Sequence, residues 1–420
     1  MRSGLRSLRW LSPGALMGTF VTGVFLLGCE APSTPGVTQH GEFYPVAVWY
    51  EVAGHIPEAE DQARAALTAD FVHIRSLGFN TILAEGVEDR YSELLLDVAQ
   101  EQSLRVILPH ARTMAYIRGG QFDPEVMNEP ETVVRENVRW TSRHPALLMH
   151  FIYDAPTSDL AERLGEVARL YRKIDPDHPV LAVLSHDVAT LVKQADLPIV
   201  LWDNFPLAEG GQAGELLNRR YEEPRSHLEA LARIRAQTPD RQHWVMIQAL
   251  AMPGRLRFPT PAEWDVIYLS AVAVGFVDGV VFYRYHTDDQ PDGGLAGRDH
   301  AVPPERAAAI KRMTERAVRW GRLLRGTEPL ADLVQTETNR LRASLLVGTK
   351  RRLLLVYNPD VQTFAYDTVH LPLMVRDGAV ARVVDVDESQ RYLPAASGRE
   401  ITMALRLRPG EGRLFEVFAP

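Results

Sequence analysis

Four carboxylates of this chain stand at the ends of apolar runs. Glu51 follows Val46-Ala47-Val48-Trp49-Tyr50, and Glu85 follows Thr81-Ile82-Leu83-Ala84. Asp154 follows the run Ala146–Tyr153, and Asp203 closes Pro198–Trp202. Two carboxylates in water-poor surroundings can divide acid–base work, one keeping its proton while the other stays ionised. Asp154 and Asp203 are the candidate catalytic pair, with Glu51 and Glu85 as a second pair. Other apolar runs end in Trp49, His110, Tyr153, Trp202, Asn204, Gln248, Tyr283, Arg284 and Tyr285. Aromatic rings offer flat apolar faces with a polar tip. Planar amides and carboxylates fork hydroxyl pairs. That mixture suits a sugar, so these nine residues, with Glu51 and Glu85, are the candidate substrate-binding set.

The elements that must position these residues alternate along the chain. Strand-like runs lie at Tyr44–Tyr50, Asn80–Ala84, Leu104–Leu108, Ala146–Tyr153, Pro179–Leu184, Pro198–Trp202, Trp244–Leu250 and Gly279–Tyr283. Amphipathic helical stretches follow them, among them Gln62–Leu77, Ser158–Lys173, Glu223–Ala236, Pro261–Val274 and Pro303–Leu324. Eight strand–helix units predict a (β/α)8 TIM barrel, whose site forms at the C-terminal ends of its strands. Near-continuous apolar strands suit a parallel sheet covered on both faces. A doubly wound open sheet would carry a Gly-rich phosphate turn after its first strand, and Glu51-Val52-Ala53-Gly54 is not one. Gly78 marks the end of the first helix, and Thr260-Pro261-Ala262-Glu263 carries the N-cap, N1 and N3 signals of a helix start.

From Leu333 the pattern changes to short alternating segments, including Ser344–Gly348, Arg352–Tyr357, Thr363–Leu371, Glu400–Leu405 and Gly412–Phe418. Turn residues such as Asn358-Pro359-Asp360 and Pro409-Gly410-Glu411-Gly412 separate them. This predicts a small C-terminal antiparallel β-sandwich. The expected organisation is a signal peptide over 1–28, a tether over 29–42, the barrel over 43–325 and the sandwich over 326–420.

At the N-terminus, Arg2, Arg6 and Arg9 precede the uncharged run Ala15–Gly28. The run is shorter than the ~20 residues a membrane span requires and has the layout of an export signal. It ends in Leu26-Leu27-Gly28-Cys29, which matches a bacterial lipobox, so Cys29 is the expected lipidation site. Cys29 is the only cysteine among 420 residues, which excludes a disulfide within the chain. Residues 30–41 are rich in Pro, Gly, Ser and Thr and read as a tether. The expected location is the bacterial cell envelope, with the lipid bilayer as a partner through Cys29. A net charge of −8 offers no basic field for a phosphate backbone, so no nucleic-acid partner is expected. His-Glu-x-x-His is absent, and His110, His186 and His286 follow different strands, so neither a metal nor a cofactor is expected. The acidic loop Asp288–Gly294 resembles a calcium loop in composition only and reads as a flap after the eighth strand.

Several segments resemble clan-A-type glycoside hydrolases, the group that includes β-galactosidase-like barrels. They are Leu77–Thr81, Arg143–Pro156, Trp202–Pro206, Val245–Leu250 and Phe258–Pro261, in that order along the chain. The resemblance implies a sugar-cleaving barrel with a Glu acid/base after the fourth strand and a Glu nucleophile after the seventh. Those positions hold Ala155 and Gln248 here. Alanine transfers no proton, and an amide forms no ordinary glycosyl ester. The expected function is therefore a membrane-anchored, glycoside-hydrolase-like protein acting on an oligo- or polysaccharide through Asp154 and Asp203. The alternative is a catalytically inactive carbohydrate-binding lipoprotein built on the same barrel.

Overall fold

Apolar runs of four to eight residues pair in parallel and close on themselves. In the computed structural model the described residues are 43–54, 56–119, 129–208, 227–286, 293–297, 299–330, 333–372, 382–389, 391–392, 395–397 and 400–418. The strands β1 (Val46–Glu51), β2 (Thr81–Glu85), β3 (Arg105–Pro109), β4 (Leu147–Asp154), β5 (Val180–Leu184), β6 (Ile199–Trp202), β7 (Gln242–Gln248) and β8 (Gly279–Tyr283) form a closed barrel in chain order. Helices α1 (Glu60–Ser76), α2 (Asp89–Glu101), α3 (Ala111–Arg118), α4 (Pro130–Thr141), α5 (Ala161–Ile174), α6 (Val188–Gln194), α7 (His227–Gln237), α8 (Pro261–Ala273) and α9 (Pro304–Leu324) alternate with the strands. Helix α3 occupies a stretch to which the sequence pattern assigns no element. It is only eight residues long, too short to show helical periodicity.

Side-chain alternation sorts the strands into two cores. Ala47, Trp49, Leu83, Ile107, Phe151, Leu181, Val183, Leu201, Trp244, Met246 and Val281 fill the barrel interior. Val46, Val48, Tyr50, Ile82, Ala84, Ala182, Val200, Val245 and Ile247 belong to the outer core shared with the helices. Gly279 makes room inside the barrel, since a Cβ there would meet the Trp244 ring at 2.3 Å. Gly78 adopts φ +91° at the end of α1, and a Cβ there would meet Thr314 Oγ1 of α9 at 2.2 Å. The Thr314 hydroxyl donates to the Leu77 carbonyl at 2.9 Å, fastening the last helix to the first. At the start of α8, Thr260 and Glu263 form the expected capping box.

After α9 the described residues include ten strands, the first of which, β9 (Glu328–Leu330), precedes the alternating segments and pairs with β11 (Arg342–Val347). The strands β10 (Gln335–Thr336), β13 (Ala365–Pro372), β17 (Glu400–Leu407) and β16 (Ala395–Ser397) form a four-stranded sheet. A six-stranded sheet contains β15 (Arg391–Tyr392), β14 (Arg382–Asp385), β18 (Gly412–Phe418), β12 (Arg352–Tyr357), β11 and β9. The run Leu353–Tyr357 is apolar throughout because both of its faces are buried. Leu354 and Val356 face the sandwich core, whereas Leu353, Leu355 and Tyr357 join the barrel's outer core. Barrel and sandwich thus share buried surface, and Ser344 Oγ donates to the Ala273 carbonyl at 2.7 Å across the join. The lipobox, the tether and residues 288–292 of the expected flap lie outside the described residues. Among the described residues no helix is long and apolar enough to cross a membrane.

Gly279→Ala is expected to lower unfolding stability by about 1–3 kcal/mol, because the methyl group overpacks against Trp244. Urea unfolding followed by tryptophan fluorescence measures this, and an unchanged midpoint would contradict the close packing.

Candidate active site

Strict alternation along β4 would turn Asp154 away from the barrel axis. Phe151 faces the interior, so Tyr153 should face it too and Asp154 should not. The β4–β5 register slips at this point: Phe151 pairs with Leu181, Tyr153 with Ala182 and Asp154 with Val183. Ile152 and Tyr153 both pack in the outer core, and Asp154 falls in step with inward-facing Val183. A β-bulge of this kind re-aims a side chain by adding one residue to one strand. Ala155 follows at φ 47°, a left-handed conformation costing roughly 1–2 kcal/mol for a residue with a Cβ. It ends the strand, and its N–H donates to the Val183 carbonyl at 2.9 Å.

Asp154 opens into a cleft of about 490 Å³ at the C-terminal ends of the strands. Asp203 lies in the same cleft, one residue past inward-facing Leu201 of β6 and Trp202. Trp49 and Tyr283 line it as an edge-to-face aromatic pair 4.9 Å apart, with Phe205 packed on Tyr283 at 5.2 Å. Trp202 lines another side, stacked on His227 at 5.9 Å, and Asn204 Nδ2 donates to His227 Nδ1 at 2.8 Å. Ser185, His186, Met252, Arg255 and Leu256 complete much of the wall.

Three carboxyls in these surroundings resist ionisation. Asp154 is exposed and lines the cleft. Desolvation pushes it up to about 7, with repulsion from Glu85 and then Asp203 adding to the effect and the Ala155 N–H opposing it. Asp203 is pushed up to about 6, mainly by desolvation, against a hydrogen bond from Ser185 and attraction to His186. Its Oδ1 is buried without a hydrogen-bond partner among the described residues. Glu85 is also raised, first by desolvation, although Trp49 Nε1 donates to it at 2.6 Å. The nearby cation is engaged elsewhere: Arg284 Nη1 donates to Glu51 at 2.8 Å, and its Nε donates to the Gly293 carbonyl at 3.3 Å. One carboxyl near 7 and a neighbour near 6 provide a proton donor and an anion together at mildly acid pH.

The structure brings Trp49, Asp154, Trp202, Asp203, Asn204 and Tyr283 into one cleft, with Glu85, Glu51 and Arg284 linked beside it by side-chain bonds. Four candidates lie elsewhere. Tyr153 packs in the outer core because of the bulge. Tyr285 is fully buried there, and its hydroxyl meets His73 Nδ1 at 2.7 Å. His110 is buried with its Nε2 2.9 Å from His150 Nδ1, and His150 Nε2 lies 2.9 Å from Asp175. Gln248 is wholly buried. Its Oε1 accepts from the Leu207 N–H at 3.0 Å, and its Nε2 donates to the Arg257 carbonyl at 2.8 Å, so it fastens two loops together. Met252, Arg255 and Leu256 were absent from the candidates. The Pro253-Gly254 turn just after the seventh strand was the available signal, since loops at that end of a barrel form its mouth.

No protein-family model matches this sequence, and no curated protein matches it. Among solved structures it is similar to a glycoside hydrolase family 5 protein from Bacteroides vulgatus ATCC 8482, with TM-score 0.60 and 11% identity over 92% of this chain and 94% of that one. It is similar to another structure described as a glycoside hydrolase, with TM-score 0.57 and 13% identity over 90% and 93% of the two chains. It also resembles the alpha-amylase of Geobacillus thermoleovorans complexed with acarbose, with TM-score 0.54 and 12% identity over 89% and 98%. At these identities the shared property is the fold.

The electrostatics predict a pH-dependent stability effect. An Asp whose folded pKa is raised binds more protons folded than unfolded between the two values. Its contribution is therefore intact below about 4, the unfolded value, and is lost as pH rises through about 7. Asp154→Asn should match the parent's thermal midpoint near pH 4 and exceed it by a widening margin up to pH 8. A margin that is flat with pH would show that Asp154 ionises normally.

Proposed function

We propose that this chain is a carbohydrate-active barrel protein that hydrolyses a glycosidic bond of an oligo- or polysaccharide, held at the bacterial cell envelope by a lipid on Cys29. The observation that carries the catalytic reading is the placing of Asp154 and Asp203 in one cleft, both with carboxyls raised chiefly by desolvation. Raised carboxyls in a concave site, with Asp203 repelling Asp154, are what acid–base chemistry requires. The aromatic walls from Trp49, Trp202 and Tyr283 support a sugar as the ligand. The glycoside hydrolases of like fold support the same ligand class. The lipid anchor is supported by the apolar run ending in Leu26-Leu27-Gly28-Cys29.

In the proposed reaction Asp154, the group with the higher pKa, gives its proton to the glycosidic oxygen as the bond from the sugar's anomeric carbon breaks. Asp203 stays ionised and stabilises the positive charge that develops on the sugar. Water supplies the hydroxyl that ends on the anomeric carbon, and the proton it loses returns to the Asp154 carboxylate. Glu85 keeps negative charge near Asp154 and thereby keeps the acid protonated to higher pH. Gln248 takes the place of a nucleophile in sequence order, but its role in this scheme is to fix the loops that shape the cleft.

Reducing-end release from a panel of polysaccharides tests the reading. The parent should release sugar with an acid limb near pH 6 and an alkaline limb near pH 7. Asp154→Asn and Asp203→Asn should each lower the rate by about 10²–10⁴-fold. An aryl glycoside whose phenolate leaves without protonation should largely spare Asp154→Asn but not Asp203→Asn. Glycan binding without release from any substrate would favour the inactive carbohydrate-binding protein. Release that survives both substitutions would remove the pair from the mechanism.

A further inference from the structure

The loop after β7 carries two arginines in different states. Arg257 is consumed structurally: its guanidinium holds both oxygens of the Glu263 carboxyl, which is itself fully buried. Arg255, two residues earlier, is exposed and lines the cleft, and it has no side-chain hydrogen bond or ion pair among the described residues. It is also the only Lys or Arg among the described residues lining that cleft.

Its position is built rather than incidental. The Met252 and Leu256 N–H groups donate to each other's carbonyls at 2.9 and 2.8 Å, closing a tight hairpin around Pro253 and Gly254. Gly254 takes φ +74°, which the turn requires and which a residue with a Cβ adopts rarely. The Arg255 N–H donates to the Met252 carbonyl at 2.9 Å, so the arginine's backbone is part of the turn. Leu256 bridges to Ala208 of the loop after β6, and the buried Gln248 amide ties Leu207 to Arg257. The hairpin is thereby fixed at both ends to the strand tops. It holds Arg255 in the wall of the cleft that Asp154 and Asp203 also line. Among the described residues the Arg255 guanidinium thus shares a cleft with carboxylates and pairs with neither of them.

We infer that the glycan taken by this cleft carries a carboxylate, as a uronic acid does, and that Arg255 on its hairpin is the anchor for that group. The inference rests on the carbohydrate reading given above. A guanidinium presents two parallel N–H donors that match both carboxylate oxygens in a charge-assisted pair, which the hydroxyls of a neutral sugar do not offer. Met252 and Leu256 flank Arg255 along the cleft wall and supply apolar contact for the ring that bears the acid.

The test is binding of the purified chain, by affinity electrophoresis, to polygalacturonate, alginate and glucuronoxylan and to the carboxyl-reduced form of each. At least one acidic glycan should bind about tenfold or more tightly than its reduced partner. Arg255→Gln should abolish that preference without weakening binding to the reduced form, and Arg255→Lys should recover only part of it. Equal or tighter binding of the reduced forms, or a preference that survives Arg255→Gln, would overturn the inference and leave the carbohydrate reading standing. Failure to bind any of the six would overturn the inference, while reducing-end release from neutral polysaccharides would still decide the carbohydrate reading.

Discussion

A one-residue slip in the β4–β5 ladder decides what this barrel can do. Side chains on a strand alternate with period two, so the phase of β4 determines whether Asp154 or Tyr153 reaches the axis. The bulge at Ile152 and Tyr153 gives the axis to Asp154 and sends both preceding side chains into the outer core. Left-handed Ala155 then turns the chain away. The charge on Asp154, its repulsion with Glu85 and Asp203, and its access to the cleft all follow from that slip.

The electrostatic state of the site follows from which cations are already committed. Arg284 is bound to Glu51 and Arg257 to Glu263, and Arg255 lines the cleft wall on its hairpin. Asp154, Asp203 and Glu85 consequently have little opposite charge beside them, and all three carboxyls are raised. Desolvation penalises the ionised form, and neighbouring carboxylates penalise it further. Gln248 contributes indirectly. Its buried amide joins the loops after β6 and β7 and so sets the shape of the wall opposite Asp154 without facing the ligand space.

The barrel was legible because its eight apolar runs and the capping signals at Gly78 and Thr260 act locally, and the sandwich because its turns are marked by Asn, Pro and Gly. Asp203 was legible because β6 alternates regularly up to it. Other site residues depend on features that periodicity cannot reveal. The exchange of Tyr153 for Asp154 requires knowing where a bulge falls. The turning of Tyr285 toward His73, and of His110 toward His150, depends on partners 212 and 40 residues away in sequence. Gln248 stands at the right strand end, but whether an amide meets ligand or loop backbone depends on loop paths set by Leu207 and Arg257. Arg255 lies in a turn recognisable from Pro253-Gly254, yet its freedom is visible only once Arg257 is seen to be bound to Glu263.

Repulsion from Asp203 adds to the desolvation that holds the Asp154 carboxyl near 7. Carbon-13 NMR titration of the labelled aspartate carboxyls, assigned with Asp154→Asn and Asp203→Asn, tests it most directly. The account predicts a midpoint near 7 for Asp154 that falls when Asp203 is replaced by Asn. An Asp154 midpoint near 4 that is indifferent to residue 203 would contradict it.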